Sequence, residues 1–268
     1  MNIIIDVIKE HIEYRTQIFK LAKSDMIRTY RGAALGWLWA IIKPVITIFV
    51  YWFAFTIGLR GGKPINGYPF FLWLTCGIIP WFYMNEMLTQ GTNCIRKYDY
   101  LVTKMKFPVS TIPTFVSISK IFINLCLIIL VILLFWIFGY PPSIYLLQLP
   151  FYILCSFIFF TILTLFTSPL AAMSKDFSNL IRSIITAIFW LSGILWEVDK
   201  ITIPWLKKLL MFNPVTFVCT GFRNCFIYQT WFFDQSKRLG YFVIVTTIMF
   251  ILSIFVYKKF RKEIPDVL

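Results

Sequence analysis

The chain has 268 residues, is 59% hydrophobic and 19% aromatic, and carries a formal net charge of +14. Its mean hydropathy of +0.77 excludes a water-soluble globular protein. No soluble domain carries a basic stripe with interleaved aromatics, so nucleic acid is not expected as the partner of that charge; the cationic loops instead orient the chain and touch membrane lipids.

Residues 1–35 read as a cytoplasmic interfacial amphipathic arm. Ile5, Ile8 and Ile12 recur at helical spacing with Lys9, Glu10 and Glu13 between them, and Lys20, Lys23, Arg28 and Arg31 form a basic flank. Such a helix lies in the headgroup plane; the plainer alternative is a solvated arm. The first thirty residues show no secretory signal pattern, so the first span is expected to serve as the targeting signal.

Six apolar stretches follow, over 36–59, 68–90, 113–138, 146–172, 179–197 and 240–257. A bilayer core of about 30 Å calls for about 20 apolar helical residues. The sequence therefore predicts an all-α integral membrane protein with six transmembrane helices, 36–257 being one membrane domain and 258–268 a basic tail. Sixteen Lys/Arg fall in the arm, the 91–112 loop, the 168–182 turn and the tail, against eight in the alternate gaps. That bias predicts both termini in the cytoplasm.

Two outer loops are short, around Gly61-Gly62 and Pro141-Pro142. The third outer segment, 198–239, is rich in Trp and Phe. It is expected to form a re-entrant or interfacial helical hairpin between helices five and six, broken at Asn213-Pro214.

Enzymatic chemistry is hard to find. His11 is the only histidine, the six cysteines have no metal or redox spacing, and no metal site is expected. The stretch 58–64 lacks the Walker pattern because Pro64 follows Lys63. Three charges lie within spans: Lys43, Glu86 and Lys120. Each costs roughly 2.5–3.5 kcal/mol at a helix centre. Either Glu86 pairs with Lys43 or Lys120, or both lysines snorkel to the inner headgroups.

These elements come with recognisable motifs. The 21–44 stretch carries Arg28-Thr29-Tyr30-Arg31 and Leu35-Gly36-Trp37-Leu38-Trp39 ahead of Pro44. Phe107-Pro108 and Pro113 follow a basic loop, Leu191-Ser192-Gly193-Ile194 ends the fifth stretch, and Asn213-Pro214-Val215-Thr216 precedes Gly221-Phe222-Arg223. In that order they resemble ABC-2 type polysaccharide and polyol-phosphate exporter permeases over nearly the whole chain, most closely the teichoic-acid translocation group. Lys43 stands where the family more often has Gln, and Gly193 where Pro is frequent.

The resemblance implies a permease subunit, not an enzyme, in a bacterial plasma (inner) membrane. It implies a homodimer with two copies of a separate ABC ATPase subunit, which would hold ATP and Mg, this chain having no cofactor. The cargo would be a polyprenyl-diphosphate-linked glycopolymer, with wall teichoic acid first and O-antigen or capsule polymer as the alternatives. Asn93, Arg96, Lys97, Tyr98 and Asp99 would form the coupling helix for the ATPase. Arg28, Tyr30 and Arg31 would meet the lipid diphosphate at the inner interface. Phe49, Trp52, Phe53 and Trp190 would line the channel. The rival classes are a membrane-embedded transferase for lipid-linked sugars, with Glu86 as its acid, and an ATP-independent channel.

Overall fold

A computed structural model describes residues 3–60, 63–105 and 107–268. The turn expected at Gly61-Gly62 lies outside the described residues. Within them the architecture is all helical, apart from one antiparallel bridge between Ile65 and Tyr68. The arm forms α1 (Ile3–Glu13) and α2 (Arg15–Tyr30); α3 is Trp39–Phe53 and α4 is Phe70–Glu86. Short helices α5 (Cys94–Lys97) and α6 (Asp99–Thr103) lead into α7 (Thr111–Ile137). Then come α8 (Leu149–Met173), α9 (Lys175–Leu191), α10 (Pro204–Met211), α11 (Pro214–Arg223), α12 (Ser236–Phe260) and α13 (Ile264–Val267).

Among the described residues four helices are long and apolar enough to cross a membrane: Gly36–Gly58, Thr111–Ile137, Ile144–Met173 and Ser236–Phe260. The other two expected spans are shorter. Helices α4 and α9 have 17 residues each, about 26 Å at 1.5 Å per residue. A π turn, Met87–Gly91, lengthens α4, but its Asn85 and Glu86 dilute its hydropathy. The fifth stretch needs correction at both ends. Its helix starts earlier, at Lys175, where Ser174 caps the Asp176 amide, and stops at Leu191 instead of 197. The stop is Gly193, whose φ of +67 suits a residue without a side chain.

Helix α4 is the centre of the bundle. Trp73, Leu72, Leu74, Ile78 and Met84 are among the largest fully buried side chains, and α7, α8 and α11 pack around them. Between helices in lipid there is little hydrophobic driving force, so small residues and hydroxyls do the joining. The Tyr83 hydroxyl lies 2.7 Å from Ser117 Oγ, which also accepts from Thr161 at 2.6 Å, tying α4, α7 and α8 together.

Gly221 lets α11 approach α8 so closely that a Cβ there would meet the Tyr152 ring at 2.1 Å. Gly221→Ala is therefore expected to cost about 1–3 kcal/mol through overpacking. A thermal melt of the purified chain checks this, and an unshifted midpoint would contradict it.

The arm is docked and not free. Ile18, Ala22 and Asp25 of α2 are buried, the first two in a cluster with Tyr98, Leu101, Phe115, Tyr257 and Ile264. Arg261 pairs with Asp6 at 3.5 Å, so both termini and the α5–α6 loop lie at one end. Ile5, Ile8, Ile12 and Phe19 are exposed, leaving an unburied apolar stripe along the arm. Within 198–239 the helices α10 and α11 part at Asn213-Pro214, where the sequence places a break: Asn213 caps α11 through the Val215 amide at 2.9 Å.

Candidate functional site

A cavity of about 700 Å³ opens between α2, α3, α4 and α7, toward the end that carries the termini. Tyr30, Lys43, Glu86, Lys120 and Asn124 line it. All three embedded charges thus reach one space, though they are used differently. Lys120 is buried, its side chain 1% exposed. Its Nζ lies 3.6 Å from Asp25 Oδ2, 3.8 Å from Glu86 Oε2 and 3.4 Å from Thr29 Oγ1. Lys43 is exposed and makes no ion pair among the described residues. Of the two partners open to Glu86, the structure selects Lys120, and burial rules out snorkelling for that lysine. Glu86 also accepts a hydrogen bond from Gln90.

Asp25, at the other end of this network, was not singled out from the sequence. Its Oδ1 accepts from Lys97 Nζ at 2.7 Å and from the Tyr98 hydroxyl. The α5–α6 loop, the arm and the cavity wall are thereby joined through one carboxylate. Burial alone would raise its pKa. The charge of Lys120, then the hydrogen bonds from Lys97 and Tyr98, outweigh burial and hold it at about 2, below the ordinary 3.8. Tyr98 moves upward, by burial first and then by Asp25, and Tyr30 moves upward by burial and then by Glu86.

A depressed carboxylate stabilises the fold fully above its unfolded value of about 4 and loses that contribution as pH falls through about 2. Pepsin cleavage within α2, referenced to an internal control site, should rise over that window. Asp25→Asn should abolish the step; an unchanged step would place the titration elsewhere.

The residues expected at the coupling loop divide by exposure. Lys97 and Asp99 are exposed, Asn93 and Arg96 are half-buried, and Tyr98 is buried. Arg96 donates to the Ala172 carbonyl at 3.0 Å, and Asn93 accepts from Ser178 at 2.8 Å. Those bonds fasten the loop to α8 and α9. Of the three residues expected at the inner interface, Tyr30 lines the cavity while Arg28 and Arg31 are exposed beyond it.

The aromatic candidates form two patches. Phe49 lies 5.8 Å from Trp52 and 6.3 Å from Phe53 on α3. Trp190 of α9 instead meets Tyr51 and Phe55, each at 6.5 Å, on a different side of α3.

Sequence reasoning also missed the role of Arg223, counted above among loop cations. It is 3% exposed. Its guanidinium donates to the Gly193 carbonyl at 2.7 Å and to that of Ile194, and lies 3.6 Å from the centre of a Trp73 ring. Gly77 makes room for it, since a Cβ there would stand 2.2 Å from Nη2.

Membrane-length helices around a charge-lined cavity define a polytopic membrane protein with a polar chamber open at one end. The chain belongs to the ABC-2 type transporter family, which matches residues 16–227. It is similar to the O-antigen export system permease protein RfbA of Myxococcus xanthus, with 25% identity over 83% of this chain and 84% of that protein. Two Klebsiella pneumoniae proteins of the same name are 24% and 22% identical over 90% and 92% of this chain, and 91% and 93% of their own lengths.

Proposed function

We propose that this chain is the permease subunit of an ATP-driven exporter moving a polyprenyl-diphosphate-linked glycan to the outer face of a bacterial inner membrane. One observation carries the reading: a chain similar to O-antigen permeases along most of its length has a charged chamber between its arm and its first, second and third apolar stretches. The O-antigen names of these relatives favour that class of polymer. Wall teichoic acid, to which the motif resemblance pointed, is the second reading, and both share a lipid diphosphate anchor.

In this reading the end with both termini is cytoplasmic. Helices α4 and α9 complete six passes, and the hairpin α10–α11 sits at the outer mouth. The chain acts as a homodimer with two ATPase subunits holding Mg and ATP. Those subunits engage the exposed tip of the α5–α6 loop, where Lys97 and Asp99 reach solvent. Lys43, which lines the chamber and makes no ion pair among the described residues, is a cation suited to an anionic headgroup.

Gentle purification from native membranes should recover a stoichiometric ATPase subunit. Disabling its ATP hydrolysis should stop surface display of the glycan. Asp99→Arg at the loop tip should reduce ATPase recovery without lowering the melting midpoint. Recovery of the chain alone, with display intact, would overturn the proposal in favour of the transferase or channel.

A further inference from the structure

At the end opposite the termini lies a second cavity, of about 260 Å³, enclosed by the turn after α9, the end of α11 and the segment that follows it. In a chain that is 59% hydrophobic, every residue lining this cavity except Val198 carries a hydrogen-bonding side chain. The lining includes Glu197, Thr220, Arg223, Asn224, Tyr228 and Gln235.

Two of these groups are fixed in advance. Arg223 is held by the backbone carbonyls of Gly193 and Ile194. The Tyr228 hydroxyl accepts from Trp73 Nε1 at 2.8 Å, on the same indole over which Arg223 lies. Arg223 Nε and Glu197 Oε1 are buried with no hydrogen bond among the described residues. Buried polar atoms in native proteins rarely go without a partner.

The charges narrow the choice of ligand. An anion would meet the carboxylates of Glu197 and Asp199, and a cation would meet Arg223. Glu197 is already paired with Lys200 at 3.2 Å, and Asp199 with Lys207 at 3.6 Å and with Arg238. Donors and acceptors in balance, with a tyrosine ring beside them, suit a neutral polyhydroxylated molecule.

We infer that this cavity is a carbohydrate subsite that receives a neutral sugar unit of the glycan at the outer mouth. The inference rests on the exporter reading for the identity of its ligand. A weak site of this kind would give the emerging polymer a foothold against sliding back, with Arg223 donating, Glu197 accepting and Gln235 at the rim.

The full chain in nanodiscs can be probed by saturation-transfer NMR with mannose and galactose, and with glucuronate and glucosamine as charged counterparts. Transfer is expected to the neutral sugars and to be much weaker for the charged pair. Thr220→Val combined with Gln235→Ala, which among the described residues removes only the local 3.5 Å side-chain bond from Gln235 to Thr230, should weaken binding roughly tenfold at an unchanged melting midpoint. Absence of transfer from both neutral sugars, or equal transfer in the double variant, overturns the subsite. A chain that recovers its ATPase and displays glycan while failing this test loses the subsite alone. One that binds sugar without ATP-dependent display loses the exporter reading.

Discussion

Asp25→Ala is expected to destabilise the chain by about 3–5 kcal/mol, the cost of breaking a buried ion pair by removing one partner. Both side chains of the pair are 1% exposed, so solvent cannot take over. The variant leaves Lys120 with Glu86 at 3.8 Å, a carboxylate that is itself partly exposed and shared with Gln90. It also removes the acceptor for Lys97 and Tyr98, loosening α2 and the α5–α6 loop together. Adding Lys120→Met should recover most of the loss, because an apolar side chain of similar volume tolerates the site. A double-mutant cycle on melting midpoints in detergent reads this directly. A single-variant loss below about 1 kcal/mol, typical of exposed pairs, would contradict a buried network.

Arg223→Ala should be comparably severe, about 3–5 kcal/mol, by losing two charge-assisted hydrogen bonds and a desolvated cation–π contact. It would strand the Gly193 and Ile194 carbonyls and open a void beside Gly77. Arg223→Lys should not rescue it, since one ammonium cannot reproduce a planar fork that bonds two carbonyls while lying flat on Trp73. The turn after α9 is the element released, so trypsin should cut at Lys200 earlier in both variants. Wild-type cleavage rates would show that Arg223 is dispensable to that turn.

Most of the bundle was legible because apolar runs of membrane length admit few alternatives. The sequence reading faltered where an apolar run and a helix part company. At 194–196 composition stays apolar, but Gly193 has already turned the chain, and hydropathy is blind to φ. Asp25 was obscured for a different reason. It sits among Lys20, Lys23 and Arg28, which makes it look like a solvated residue. The available signal was its spacing: Ile18, Ala22 and Asp25 share one face of α2, and an embedded Lys120 requires a countercharge from somewhere. Arg223 belonged to a recognised motif, yet only the fold shows why the motif pairs it with Gly221. The glycine admits Tyr152, and the arginine fills the space that Gly77 leaves.

The π turn at Met87–Gly91 has a mechanical meaning. A π turn holds one residue more than an α turn. Absorbing that residue into regular helix rotates everything downstream by about 100° and advances it about 1.5 Å. Glu86 stands immediately before the turn and the α5–α6 loop immediately after it. Helix α4 therefore ends in a vernier, where absorbing that one residue into regular helix would swivel the loop against the chamber wall while the shaft of α4 above it stays still.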